Sequence, residues 1–221
     1  MRSSIRTLEH VRKTQRDHHA DVEVPDFPRI EKVAKFFLQH PPGKLLDVGH
    51  SRGSFGDELS RKGWECIGLD LASPKNSKIR TVRCDLNEGF PIDSEAFDVV
   101  TAGEVIEHML NEELFLQECR RVLKKDGVLV LTTPNLAFSL NRVLVLIGRT
   151  PLFVTAPYHY HFHTRSTLKR MVERCGFQVV RIVSSHVLYS RRRHFTGKFF
   201  EWLGDLFPTF GAHLILFAKK C

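Results

Sequence analysis

The sequence predicts an α/β fold, a parallel sheet with helices on both faces. Three observations predict it. Short apolar runs alternate with segments of helical periodicity from residue 44 onward. The first run leads straight into a Gly/Ser-rich turn and then a helix. The 221 residues, 42% hydrophobic and 26% charged, have a globular balance and enough length to bury a core without disulfide or metal. One domain over residues 1–221 is expected.

The elements follow in order. Residues 1–26 are polar and basic and read as an N-terminal arm. From Pro28 to Gln39 the residues Ile30, Val33, Ala34, Phe37 and Leu38 recur at helical spacing, and Pro41-Pro42-Gly43 stops the helix. Strands are expected at Lys44–Val48, Trp64–Leu71, Ile79–Cys84 and Phe97–Ala102, with helices at Ser54–Lys62 and Glu112–Leu123. Lys125-Asp126-Gly127 is a turn into a fifth strand, Val128–Thr132. A helix over Ala137–Ile147, a loop rich in His, Pro and aromatics, and a helix over Thr164–Cys175 capped by Gly176 come next. Phe177–Ser184 and His213–Lys219 are the last strands, and residues 136–163 and 185–211 are insertions on the substrate side, the second with an aromatic helix around Phe199–Phe207.

Charge and cysteine use narrow the function classes. A net charge of +8 suits an anionic ligand, a nucleic acid or an acidic membrane surface. Cys66, Cys84, Cys119, Cys175 and Cys221 form no C-x-x-C pair, which argues against a disulfide framework or a thiolate zinc site and fits a reducing cytoplasm. The first residues lack the apolar core of a signal peptide. Leu136–Val154 is interrupted by Arg142, Arg149 and Pro151, so no transmembrane segment is expected.

In an open parallel sheet, ligands bind beyond the carboxyl ends of the strands. There the chain places Asp47-Val48-Gly49-His50-Ser51-Arg52-Gly53, whose glycines let backbone approach a ligand and whose following helix offers free N–H groups. Asp70 ends the second strand, where a carboxylate accepts both hydroxyls of a ribose, and Asp85 follows the third, in reach of an adenine amino group. The dinucleotide pattern G-x-G-x-x-G is not met by Gly49, Ser51, Gly53 and Gly56. Gly49 to Gly53 does spell G-x-S-x-G, the serine hydrolase elbow with Ser51 as nucleophile, but only 43 residues precede the first strand, whereas that elbow follows several strands.

The segment LLDVGHSRGSF resembles motif I of the class I S-adenosylmethionine-dependent methyltransferases, which is close to LLDVGCGTGSF. The resemblance continues, in order and at the expected spacing, through GLDLA, RCDLNEGFPIDSEAFDVVTAGEVIEHM and RVLKKDGVLVLTTPN. It implies a Rossmann-like seven-stranded sheet with its last strand antiparallel. It also implies S-adenosyl-L-methionine as methyl donor, with S-adenosyl-L-homocysteine as product. On this resemblance Asp47, Gly49, His50, Ser51 and Gly53 shape the methionine pocket, Asp70 with Leu71 holds the ribose, Asp85 with Leu86 holds the adenine, and Gly103 and Glu104 complete the site. The chain departs from the pattern at Ser51, where a glycine is usual, and at His50, where a small residue is usual. Ser51 is the one feature that favours a non-catalytic binding module of the same fold.

After the fourth strand comes Glu104-Val105-Ile106-Glu107-His108. On a helical turn, Glu104, Glu107 and His108 share a face, with Val105 and Ile106 turned into the core. Two carboxylates and an imidazole suit Mg²⁺, Mn²⁺, Fe²⁺ or Zn²⁺. A further ligand is expected from His159-Tyr160-His161-Phe162-His163, where alternate histidines of an extended chain face one way, His159 ahead of His161. E-x-x-E-H with a later histidine resembles the metal site of the small-RNA 3′-end 2′-O-methyltransferases, and similar signatures occur in ubiquinone-pathway O-methyltransferases. Without a metal, His108 serves as the base and Glu104 lines the substrate pocket. The expected reaction is O-methylation of a small or lipid-like acceptor. Residues 189–210, greasy and basic, suit peripheral contact with an anionic membrane, or RNA as the lesser alternative.

Overall fold

Apolar residues alternate along the central strands, and the alternation separates two cores, one on each face of the sheet. The computed structural model describes residues 27–51, 54–73, 77–156, 158–187 and 202–221. The expected N-terminal arm, Gly53, the arginines 191–193 and the first part of the aromatic helix lie outside the described residues; residues 202–206 are helical.

The elements are α1 (Phe27–Leu38), β1 (Lys44–Val48), α2 (Ser54–Arg61), β2 (Glu65–Asp70), β3 (Arg80–Arg83), β4 (Phe97–Gly103), α3 (Glu112–Val122), β5 (Leu123–Pro134), α4 (Ser139–Leu146), α5 (Arg165–Arg174), β6 (Phe177–Ser184) and β7 (His213–Lys220). The sheet has seven strands in the order β3-β2-β1-β4-β5-β7-β6. β1 to β5 pair in parallel, and β7 runs antiparallel to both β5 and β6. Leu46, Val48, Val100, Ala102, Leu129, Leu131, Leu214 and Leu216 face one way and are buried under α3 and α5 through Phe115, Leu116, Cys119, Leu168 and Val172. Leu45, Val99, Val130, Ile215 and Phe217 face the other way, under Val33 and Phe37 of α1 and Leu59 of α2.

The fifth strand differs from the expectation. It begins at Leu123, not Val128, because Leu123 pairs with Phe97 before the register jumps to Val99↔Val128. Lys124 to Gly127 therefore bulge within one strand, with Asp126 at φ +63, in place of a turn that separates two elements. Helix α4 is also shorter than the apolar run that encodes it, and only Asn141 of its residues is buried. No helix among the described residues is long and apolar enough to cross a membrane.

Asn135, fully buried just beyond β5, joins three segments. Its Nδ2 donates to the Gly211 and Thr209 carbonyls at 2.7 and 3.2 Å, its backbone N–H donates to Ala212 O at 2.8 Å, and it bridges to His163. Asn135→Ala removes the side-chain donor from the buried Gly211 carbonyl and from Thr209 O, and leaves the backbone bond to Ala212 in place. It should lower the unfolding free energy by about 2 kcal/mol, read from urea titration.

Candidate active site

β1 and β4 are neighbours, but the chain leaves β1 toward β2 on one side and leaves β4 toward β5 on the other. The two crossovers diverge and open a crevice above the strand ends. An open cleft lies there. Gly49, Ser51, Asp70 and Leu71 line one part, Asp85, Leu86 and Asn87 a second, and Gly103, Glu104, Val105, His108 and Met109 a third.

The turn after β1 is held by its own backbone. Gly49 and His50 both donate N–H to Leu69 O, at 2.8 and 3.2 Å. Gly49 sits at φ +70, and a Cβ there would strike Val105 Cγ2, so glycine is required. Ser51 adopts φ +47 despite its Cβ, which costs on the order of 1 kcal/mol, and donates its N–H to Asp70 Oδ2 at 2.8 Å. Asp70 Oδ1 accepts from Ala72 N at 3.1 Å, so backbone donors orient both oxygens toward the cleft. Asp85 Oδ1 accepts the backbone and side-chain N–H groups of Asn87 at 3.0 and 3.1 Å, and Asn87 Oδ1 accepts from Leu110 N at 2.8 Å.

Asp47 and His50, expected at the cofactor, do not line the cleft; they pair with each other behind the turn, at 3.0 Å. Asn87, Val105 and Met109 do line it and were not anticipated. Asn87 was detectable as the end of an Asp-x-Asn turn; Val105 is buried in the core, as expected, and also lines the cleft.

The E-x-x-E-H segment departs from a helical turn. Only Ile106–His108 are helical, as a single 3₁₀ turn, and Glu104 precedes it at φ +57. Glu104 is thereby directed elsewhere than Glu107 and His108. Its Oε1 accepts from Thr132 Oγ1 at 2.8 Å and lies 3.9 Å from Arg29 Nη1, and its Oε2 lies 3.5 Å from His213 Nε2. Arg29, Thr132 and His213 stand on α1, β5 and β7, too far apart in the chain for any local pattern to link them.

Glu107, His108 and His159 do come together, each offering a ligand atom within 4.8 Å of the others. Glu107 is 1% exposed; its Oε2 accepts from Thr133 Oγ1 at 3.1 Å, while Oε1 is buried with no hydrogen-bond partner. Burial, with the nearby Glu104 charge, holds the Glu107 carboxyl well above the usual carboxylate range. His108 Nδ1 lies 2.9 Å from Tyr158 O, and a carbonyl only accepts, so Nδ1 carries the proton and Nε2 the lone pair of the neutral ring. The His159 ring packs edge-on against His108 at 4.8 Å. Tyr160 N donates to Glu107 O at 2.8 Å and pins the histidine loop to the cluster. The other two histidines do not join, contrary to the extended-chain expectation. His161 and His163 lie 3.3 and 2.6 Å from the two oxygens of Glu112.

Residues 17–182 match the methyltransferase domain family. The chain belongs to this family of S-adenosylmethionine-dependent methyltransferases. It is 30% identical, over 88% of its length, to the human mitochondrial ubiquinone biosynthesis O-methyltransferase, and the match covers 57% of that protein. The chain thus spans between half and two thirds of the length of the human, rat and bovine forms of this relative. Its fold is that of a SAM-dependent methyltransferase from Thermotoga maritima, with TM-score 0.66, 18% identity, and 89% of each chain covered. The Burkholderia thailandensis 1,6-didemethyltoxoflavin-N1-methyltransferase, solved with bound S-adenosylhomocysteine, matches with TM-score 0.61 and 15% identity over 97% of this chain and 85% of that one. In this member of the family the motif I resemblance and the cleft coincide, and the elbow reading of Ser51 falls away.

A carboxyl whose folded pKa is raised opposes folding once the pH exceeds its unfolded value, and the penalty vanishes in acid. Glu107→Gln should therefore raise the melting temperature of the ligand-free methyltransferase at neutral pH, and the gain should fade as pH falls through the usual carboxylate range. Thermal melts at a series of pH values measure this; a gain independent of pH contradicts the assigned ionisation.

Proposed function

We propose that this methyltransferase transfers the methyl group of S-adenosylmethionine to a hydroxyl of a small or lipid-like acceptor. The observation that carries the reading is an oriented imidazole, His108, that lines the cofactor cleft beside the buried Glu107. An amine acceptor needs little help from a base, whereas a hydroxyl must lose a proton as its oxygen attacks. The acceptor oxygen forms its bond to the methyl carbon as the carbon–sulfur bond breaks, and the electron pair of that bond neutralises the sulfonium. The hydroxyl proton passes to His108 Nε2, with Tyr158 O holding the ring in the required tautomer. The names of the ubiquinone-pathway relatives agree with a lipid-like acceptor.

Glu107, His108 and His159 also fit a divalent cation. The mixed oxygen and nitrogen donors suit it, and Glu107 Oε1 is a buried oxygen that a cation would satisfy. Such an ion would lower the pKa of a hydroxyl bound to it.

His108→Ala should lower kcat by about 10²- to 10⁴-fold while S-adenosylhomocysteine still binds near the wild-type affinity in calorimetry. Mn²⁺ titration distinguishes the two roles: heat that Glu107→Ala abolishes supports the metal-assisted form, and its absence in wild type leaves His108 as the base.

The lipid-like acceptor is supported by a second face. Val143, Val145, Leu146 and Ile147 at α4 and Trp202, Leu206 and Phe207 of the second insertion are exposed, and the Arg142 guanidinium lies 4.4 Å from the centre of the Phe210 ring. Apolar side chains interspersed with arginine suit an anionic bilayer surface. Leu146→Glu with Ile147→Glu should weaken cosedimentation with phosphatidylglycerol vesicles severalfold without altering activity on a detergent-dispersed acceptor.

A further inference from the structure

Behind the cofactor turn, four buried or half-buried polar side chains run in a line away from the cleft, and methyl transfer as described uses none of them. His50 stands where the resembling motif carries a small residue. Its side chain is wholly buried. The ring lies over Gly68 of β2, where a Cβ would fall 2.6 Å from two ring carbons, so the strand is shaped to admit it. His50 Nδ1 is 3.0 Å from Asp47 Oδ2, and His50 Nε2 is 3.1 Å from Ser77 Oγ. Ser77 donates its O–H to Asp57 Oδ1 at 3.0 Å, and Asp57 Oδ1 also accepts from Lys78 N and Ile79 N at 2.8 and 3.2 Å.

Counting protons along this line leaves one conclusion. Desolvation opposes ionisation of Asp57, but the hydrogen bonds from Lys78, Ser77 and Ile79 outweigh it and hold the carboxyl below its usual range. An ionised carboxylate only accepts, so Ser77 commits its single O–H to Asp57. Toward His50, Ser77 Oγ can then only accept, so Nε2 is protonated. The other ring nitrogen, Nδ1, faces Asp47 Oδ2. One proton must lie between them, on the carboxyl or on the ring, since otherwise two lone pairs meet at hydrogen-bond distance. The surroundings bear on that proton from every side: Asp47 on β1, Cys66 and Asp70 on β2, Asp57 on α2, and Ser77 with Lys78 before β3. Burial pushes the Asp47 carboxyl up, His50 pulls it down, and the Asp70 charge pushes it up again. Burial and the Asp47 and Asp57 charges push the Cys66 thiol up to about 12.

We propose that His50 is a positioning residue for the cofactor: through one proton shared with Asp47 it fixes the turn from Gly49 to Ser51, and loss of that proton in alkali weakens cofactor binding. The coupling is short. Ser51 follows His50 directly, sits in the left-handed region without being glycine, and must remain there for its N–H to reach Asp70. A turn released at His50 relaxes Ser51 and frees the carboxylate that faces the ribose.

The inference rests on the cleft binding S-adenosylmethionine, and calorimetry with S-adenosylhomocysteine on the full chain separates the two. The titration runs from about pH 6 to about pH 9.5, across and beyond the ordinary imidazole range. Wild type should lose about tenfold in affinity on the alkaline side, the loss of one charge-assisted hydrogen bond. In Asp47→Asn an amide N–H reaches Nδ1 at any pH, so the profile should be flat once the ligand's own ionisation, common to both proteins, is divided out. His50→Phe fills the space over Gly68 without the clamp and should bind weakly at every pH. Nitrogen-15 spectra of the wild-type ring should show Nε2 protonated throughout. Parallel profiles for wild type and Asp47→Asn overturn the inference and leave the cofactor reading standing. No binding by wild type at any pH overturns both.

Discussion

Two backbone N–H groups converge on one carbonyl, Leu69 O, and much of the site depends on that convergence. Gly49 and His50 can both reach it only because the chain after β1 folds back through a left-handed residue. The pairing locks the exit of β1 to the end of β2. Asp70 is therefore delivered beside Ser51, and its carboxylate is oriented by a backbone donor before any ligand arrives. A preformed turn of this kind spares the ligand the ordering cost that a loose loop would impose.

On the opposite wall, backbone strain directs two neighbouring carboxylates to different ends. Glu104 at φ +57 turns toward Thr132, Arg29 and His213. Glu107, three residues on, is carried by the 3₁₀ turn into a buried position against Thr133, where water cannot stabilise its ionised form. Two groups of one chemical type, three residues apart, thus end in different surroundings, one among side-chain donors and one buried against Thr133. The long return connection between β6 and β7 serves the same wall, because it brings His213 to Glu104 and closes the carbonyls of Thr209 and Gly211 on Asn135.

Much of this was legible in the sequence, and for a physical reason. Strand spacing follows from a two-residue period and helix spacing from a 3.6-residue period, so Leu45 and Leu46, or Val99 and Val100, announce opposite faces without knowledge of the fold. The motif carrying Gly49, Ser51, Asp70 and Asp85 keeps its spacing because each residue sits at a strand end. Asp47 and His50 stand apart from the cleft. The place of His50 in the motif suggested contact with the cofactor, but its ring lies behind the turn, over Gly68.

By itself, then, the sequence determined the alternating strands and helices and the crevice at their ends, since these follow from local periodicity and short spacing; the turn after β1 was singled out by its resemblance to motif I. Tertiary structure decided which side chains meet. The 3₁₀ turn replaced the helical turn that would have gathered Glu104 with Glu107 and His108. The histidine loop divided, with His159 joining Glu107 and His108, and His161 and His163 going to Glu112. Arg29 reached Thr132 across 103 residues of chain. Contacts of that range are set by how the two faces of the sheet are packed, and no pattern along the chain encodes them.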